Sequence, residues 1–188
     1  MGHSQGATGA VRAGEHAGSF ISTVVTFSLP WNGQGPTGST WDRSAGGPQA
    51  LGWSGPNPDC PTAQDCWPDP AALHQPTLLL STRGPVDAVI ANPAVERCYF
   101  EEVRAPAALG VVRQSGGARA DHVSIEDATK GGNPSAFLGY ATAWLLAELR
   151  HDARAGTLFF GKHPALLLAA NWAGSRVKRE YAGASGCG

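Results

Sequence analysis

The chain has 188 residues, with 14 basic and 15 acidic side chains and a formal net charge of −1. That balance excludes a strongly basic nucleic-acid binder and gives no pull toward an anionic membrane surface. No apolar run is long enough to cross a bilayer as a helix, and the length suits one domain with a real core.

The chain opens on Met1, and Gly2-His3-Ser4-Gln5-Gly6 follows at once. Gly-x-Ser-x-Gly is the pattern that sets a serine on a sharp strand-to-helix turn. The Ala-rich stretch from Gly6 to His16 then predicts a short helix lying close on a sheet. Phe20 to Phe27 is β-branched and aromatic and predicts a buried strand.

Regular periodicity stops between Leu29 and Gln75. This stretch carries eight of the 14 prolines and four of the six tryptophans (Trp31, Trp41, Trp53 and Trp67). A disordered linker is poor in aromatics, so residues 29–75 read as an ordered insertion near the strand ends. Cys60 and Cys66 flank a short polar loop inside it. A local disulfide is expected there, and with it an oxidising compartment. No second close Cys or His pair completes a zinc site.

Pro76 opens a second buried strand, Thr77 to Thr82. Asn92-Pro93 starts a helix running to about Val103, with proline at the first helical position. Ala107 to Val112 is a third strand. Asn133-Pro134 caps the clearest helix, whose buried face is Phe137, Ala141, Trp144, Leu145 and Leu149. From Gly161 a tail is expected that frays at its end. Strands alternating with helices give an α/β class with a parallel sheet of about three strands. Residues 1–160 form the domain and residues 161–188 the tail.

Ser4 is the candidate nucleophile; a serine hydroxyl needs a base to remove its proton. Asp87 follows the second strand and His122 follows the third, on loops at the carboxyl ends of parallel strands, where open α/β sheets bind ligands. His122 would be the base and Asp87 would orient it. The bland alternatives are a helix N-cap for Ser4 and a turn residue for Asp87. Asp121, Glu126 and Asp127 are rival acids beside His122. His3 sits inside the turn, and His16, His74, His151 and His163 read as surface or capping residues.

These residues resemble the α/β-hydrolase superfamily. Gly2 to Gly6, followed by Ala7, is similar to the nucleophile elbow of its esterase and dienelactone-hydrolase-like branches. Leu29-Pro30-Trp31 resembles the Pro-Trp step of bacterial polyester hydrolases and cutinases. The resemblance implies a serine carboxylic-ester hydrolase with Ser4, Asp87 and His122 in the triad. It implies one oxyanion donor at the Gln5 backbone N–H, and substrate contacts at Trp31 and His3. No cofactor and no metal are implied, and the substrate is an apolar, aromatic or polymeric ester.

In that family the first strands and one oxyanion donor precede the elbow, so the chain reads as the C-terminal part of a larger hydrolase. An open sheet edge would then favour self-association. No signal peptide is visible, and secretion is expected from the cysteine pattern alone. Two other readings stay open: a non-catalytic fragment that needs the missing half, and an acyl-binding module.

Overall fold

The computed structural model describes residues 1–30, 70–115, 118–125 and 135–180. Its frame is a five-stranded, mostly parallel sheet flanked by helices. The strands in spatial order are β1 (Gly2–His3), β2 (Val24–Phe27), β3 (Thr77–Thr82), β4 (Ala107–Val112) and β7 (Trp172–Lys178). Strands β1 to β4 run parallel, and β7 lies antiparallel on β4. A separate two-stranded ribbon, β5 (Gln114–Ser115) with β6 (Ala118–Arg119), follows β4.

The central strands are apolar almost without a break because both faces of the sheet are covered. Side chains alternate along β3: Leu79 enters one core, while Leu78 and Leu80 enter the other. The first core joins β2–β4 to α1 (Gln5–His16) and α3 (Pro93–Glu102) through Ala7, Val11, Val95, Tyr99 and Phe100. The second joins the sheet to α4 (Ser135–Arg150) through Phe137, Ala141 and Trp144. The short helices α2 (Asp87–Ile90), α5 (Ala153–Gly156) and α6 (Ala165–Leu168) fill the connections. Trp144 is fully buried, and its Nε1–H donates to Thr23 Oγ1 at 2.8 Å, so the one polar atom of the indole is satisfied.

The structure corrects the sequence reading in four places. The sheet has five strands, not about three. The stretch from Phe20 holds a strand only over Val24–Phe27; Phe20 ends a single 3-10 turn and is 95% exposed. Leu149 lies outside the buried face of α4 and is 49% exposed. Part of the expected tail is β7, whose Trp172 packs against Gly110 of β4; a Cβ on that glycine would lie 2.5 Å from the indole.

Trp31, Cys60 and Cys66 lie outside the described residues, and so does the expected Cys60–Cys66 bridge. Cys98, on α3, is disulfide-bonded. No described helix is long and apolar enough to cross a membrane.

Candidate active site

The site is built at the carboxyl ends of the parallel strands. Ser4 leaves β1 with φ 53° and ψ −122°, a left-handed conformation that costs a non-glycine residue on the order of 1–3 kcal/mol. The surroundings hold it there. Its N–H donates to the Phe27 carbonyl at 3.0 Å, and its carbonyl accepts the Ala7 N–H at 2.8 Å. Gly2 permits the close approach of strand and helix, since a Cβ on it would lie 1.9 Å from the Gly6 carbonyl oxygen. The second glycine of the motif is different: a Cβ on Gly6 would meet nothing within 4 Å. Packing therefore demands only the first.

Although Ser4 stands just before α1, its side chain does not cap the helix. Instead Ser4 Oγ lies 2.9 Å from His122 Nε2. His122 is in a 3-10 turn (His122–Ile125) reached after β6, and it is buried. Its Nδ1 lies 2.6 Å from Asp87 Oδ1. With Nδ1–H donating to the carboxylate, Nε2 has a free lone pair for the serine proton. A continuous path runs from Ser4 through His122 to Asp87, so the structure brings these three sequence-selected residues together.

Asp87 is fully buried at the first residue of α2. Its second oxygen, Oδ2, accepts from Ser28 Oγ at 2.8 Å, Thr82 Oγ1 at 2.5 Å and the Thr82 N–H at 3.1 Å. Burial works to raise the carboxyl's pKa. The hydrogen bonds from His122, Thr82 and Ser28, together with the electrostatic pull of the His122 ring, outweigh it and hold Asp87 below the ordinary carboxylate value. Asp87 is thus a poised anion beside a histidine ring, not a turn residue facing water.

Asp121, the nearest rival acid, is placed elsewhere. Its Oδ1 accepts the backbone N–H groups of Val86 at 3.0 Å, Asp87 at 3.1 Å and His122 at 2.8 Å. It packs on Gly84, where a Cβ would be 2.2 Å from its carboxyl carbon. Asp121 therefore ties the acid-bearing loop to the histidine-bearing loop. Glu126 and Asp127 lie outside the described residues.

His3, read as a substrate contact, packs on His122. Its Nε2–H donates to the His122 carbonyl at 2.8 Å, and the two rings are 4.8 Å apart at 43°. Its contact here orients His122. Gln5 opens α1, where backbone N–H groups have no carbonyl of an earlier turn to meet and point out of the helix end beside Ser4. His16, His74, His151 and His163 are exposed. Among the described residues, no group of three or more His, Cys, Asp or Glu is arranged to hold a metal ion.

Sequence reasoning missed Ser28, Thr82, Glu96 and the bracing role of Asp121. Ser28 carried one signal, a polar residue interrupting the apolar run between Phe27 and Leu29. No protein-family model matches the chain, and no curated protein does.

Proposed function

We propose that the chain is a serine carboxylic-ester hydrolase of the α/β-hydrolase kind. The observation that carries this reading is the unbroken path Ser4–His122–Asp87, with links of 2.9 Å and 2.6 Å, on a serine held in a strained turn at a helix N-terminus. A helix N-cap or a core histidine needs no such path.

The chemistry follows from the geometry. Ser4 Oγ attacks the ester carbonyl while its proton passes to His122 Nε2. The imidazolium that forms is stabilised by Asp87, whose four hydrogen-bond donors keep it ionised. The carbonyl oxygen, now negative, sits against the Gln5 N–H at the positive end of α1. His122 returns its proton to the departing alcohol and leaves an acyl group on Ser4. A water molecule, deprotonated in turn by His122, then releases the acid. The proline- and tryptophan-rich residues 29–75, Trp31 among them, favour an apolar or aromatic acyl group on compositional grounds. The cysteine pattern favours an oxidising compartment.

A fluorophosphonate probe and p-nitrophenyl esters test the reading. Labelling at Ser4 and ester hydrolysis that vanish together in Ser4→Ala, with the fold retained, support it. Hydrolysis untouched by Ser4→Ala refutes it. Absence of both in a folded chain leaves an acyl-binding module or a non-catalytic hydrolase.

A further inference from the structure

Glu96 takes no part in the chemistry above, yet it is fully buried on α3. A carboxylate stripped of water needs a cation or a full set of donors. Among the described residues Glu96 has neither. Oε1 accepts the Leu29 backbone N–H at 2.8 Å, and Oε2 has no hydrogen-bond partner among them. The charged group that acts on it is Asp87, another acid, which itself holds His122. Burial and the charge of Asp87 push the Glu96 carboxyl well above the ordinary value of 4.5, against the smaller pull of the Leu29 N–H.

What Glu96 holds is as informative as its burial. Leu29 follows Ser28, which has a left-handed φ of 50°. The Ser28 N–H donates to the Leu80 carbonyl at 2.7 Å, and its hydroxyl donates to Asp87 Oδ2 at 2.8 Å. Tyr99 lies one helical turn after Glu96, and its hydroxyl donates to the Pro30 carbonyl at 3.3 Å. Helix α3 therefore grips the turn after β2 at two points, and that turn delivers a donor to the acid of the site.

We propose that Glu96 is a positioning residue: as an uncharged carboxylic acid it pins the Ser28–Leu29–Pro30 turn, so that the Ser28 hydroxyl stays on Asp87. The inference rests on the hydrolase reading only for its kinetic consequence. An ionised Glu96 would add a second negative charge next to Asp87, raise the pKa of that acid and weaken its hold on His122. A neutral acid supplies the same acceptor oxygen without that penalty.

The neutral state fixes a sign. Above 4.5 the unfolded chain loses the Glu96 proton while the folded chain keeps it. Stability from this position is therefore full below that pH and falls as pH rises toward the raised value. Glu96→Gln, neutral at every pH, removes the slope.

The test compares Glu96→Gln, Glu96→Ala and the parent chain in three readouts. These are the rate of Ser4 labelling by a fluorophosphonate, the low-field proton resonance of His122 Nδ1–H, and thermal unfolding against pH. Glu96→Gln should hold the labelling rate within about threefold and leave the resonance in place. Its melting temperature should gain on the parent as pH rises. Glu96→Ala should label roughly tenfold more slowly, the loss of one hydrogen bond to a charged group, and should shift the resonance. A Glu96→Gln variant as impaired as Glu96→Ala overturns the proposal, because the charge would then be needed. So does a Glu96→Ala variant with unchanged rate and resonance. If Glu96→Ala does not fold, Ser28→Ala carries the test: it should produce the same loss and shift, and an unmoved resonance refutes the idea. If the parent chain never labels at Ser4, the hydrolase reading falls, while the resonance and the unfolding series still decide the role of Glu96.

Discussion

Asp121 accepts the backbone N–H of Asp87 at 3.1 Å across a sequence separation of 34 residues, so two neighbouring acids divide one task. Asp87 spends its carboxylate on His122, Ser28 and Thr82. Asp121 spends one oxygen on the backbones of Val86, Asp87 and His122. The first acid holds the histidine ring, and the second ties together the loops that carry Asp87 and His122.

That division predicts different outcomes for two substitutions at Asp121. Asn keeps an acceptor oxygen, so Asp121→Asn should label at Ser4 within about threefold of the parent. Asp121→Ala leaves three donors without their acceptor and frees the loops, and it should cost roughly 10- to 100-fold. Measuring both rates under identical conditions checks the claim. A severe Asp121→Asn defect would mean that the negative charge, not the acceptor, matters.

Asp87→Asn should be far more damaging to turnover. The amide cannot accept from His122, Ser28 and Thr82 together, and the histidine loses the partner that fixes its tautomer. Under the proposed hydrolase function, turnover of a p-nitrophenyl ester should fall by about four orders of magnitude, the scale of such losses in catalytic triads.

Asp87 also predicts an acid limb of stability. Its folded pKa lies below the ordinary 3.8, so the folded chain releases this proton more readily than the unfolded chain. The stabilisation is fully present above 3.8 and disappears as pH falls through the lowered folded value. Thermal unfolding of the parent and of Asp87→Asn between neutral and strongly acidic pH should show the parent losing stability more steeply with acid. Parallel curves would contradict this.

The two glycines of the elbow should respond in opposite ways. A Cβ at Gly2 would lie 1.9 Å from a backbone oxygen, which cannot swing aside as a side chain would. Gly2→Ala should cost on the order of 1–3 kcal/mol or prevent folding. Gly6 lies in α1 with open space around it, so Gly6→Ala should be neutral or stabilising by about 0.5–1 kcal/mol through helix propensity. Denaturant unfolding of the pair measures both.

Much of the frame was legible from local pattern. Thr77–Thr82 and Ala107–Val112 are continuous apolar runs, and strands buried on both faces must look like that. Pro93 at a first helical position and the spacing of Phe137, Ala141 and Trp144 located α3 and the buried face of α4. Ser4, Asp87 and His122 could be chosen because the sequence order of strand ends limits which loops reach one end of a sheet.

Strand β7 escaped notice because an edge strand covered on one side needs no apolar run. Trp172 and Ala173 are its two buried residues, and Gly174 to Lys178 are partly or fully exposed. Phe20 reads as strand by composition, but no described strand pairs with it, and pairing is what makes a strand.

By itself, then, the sequence determined the three long helices α1, α3 and α4, the central strands and the three polar residues at the strand ends, because helix periodicity and double-sided burial are written over a few neighbouring positions. Only the tertiary structure decided that Asp87 faces the histidine while Asp121 braces the loops, and that a glutamate on α3 is sealed behind the site. Those assignments depend on hydrogen bonds between residues 34, 35 and 67 positions apart, and the geometry of such bonds exists only after the sheet has brought the loops together.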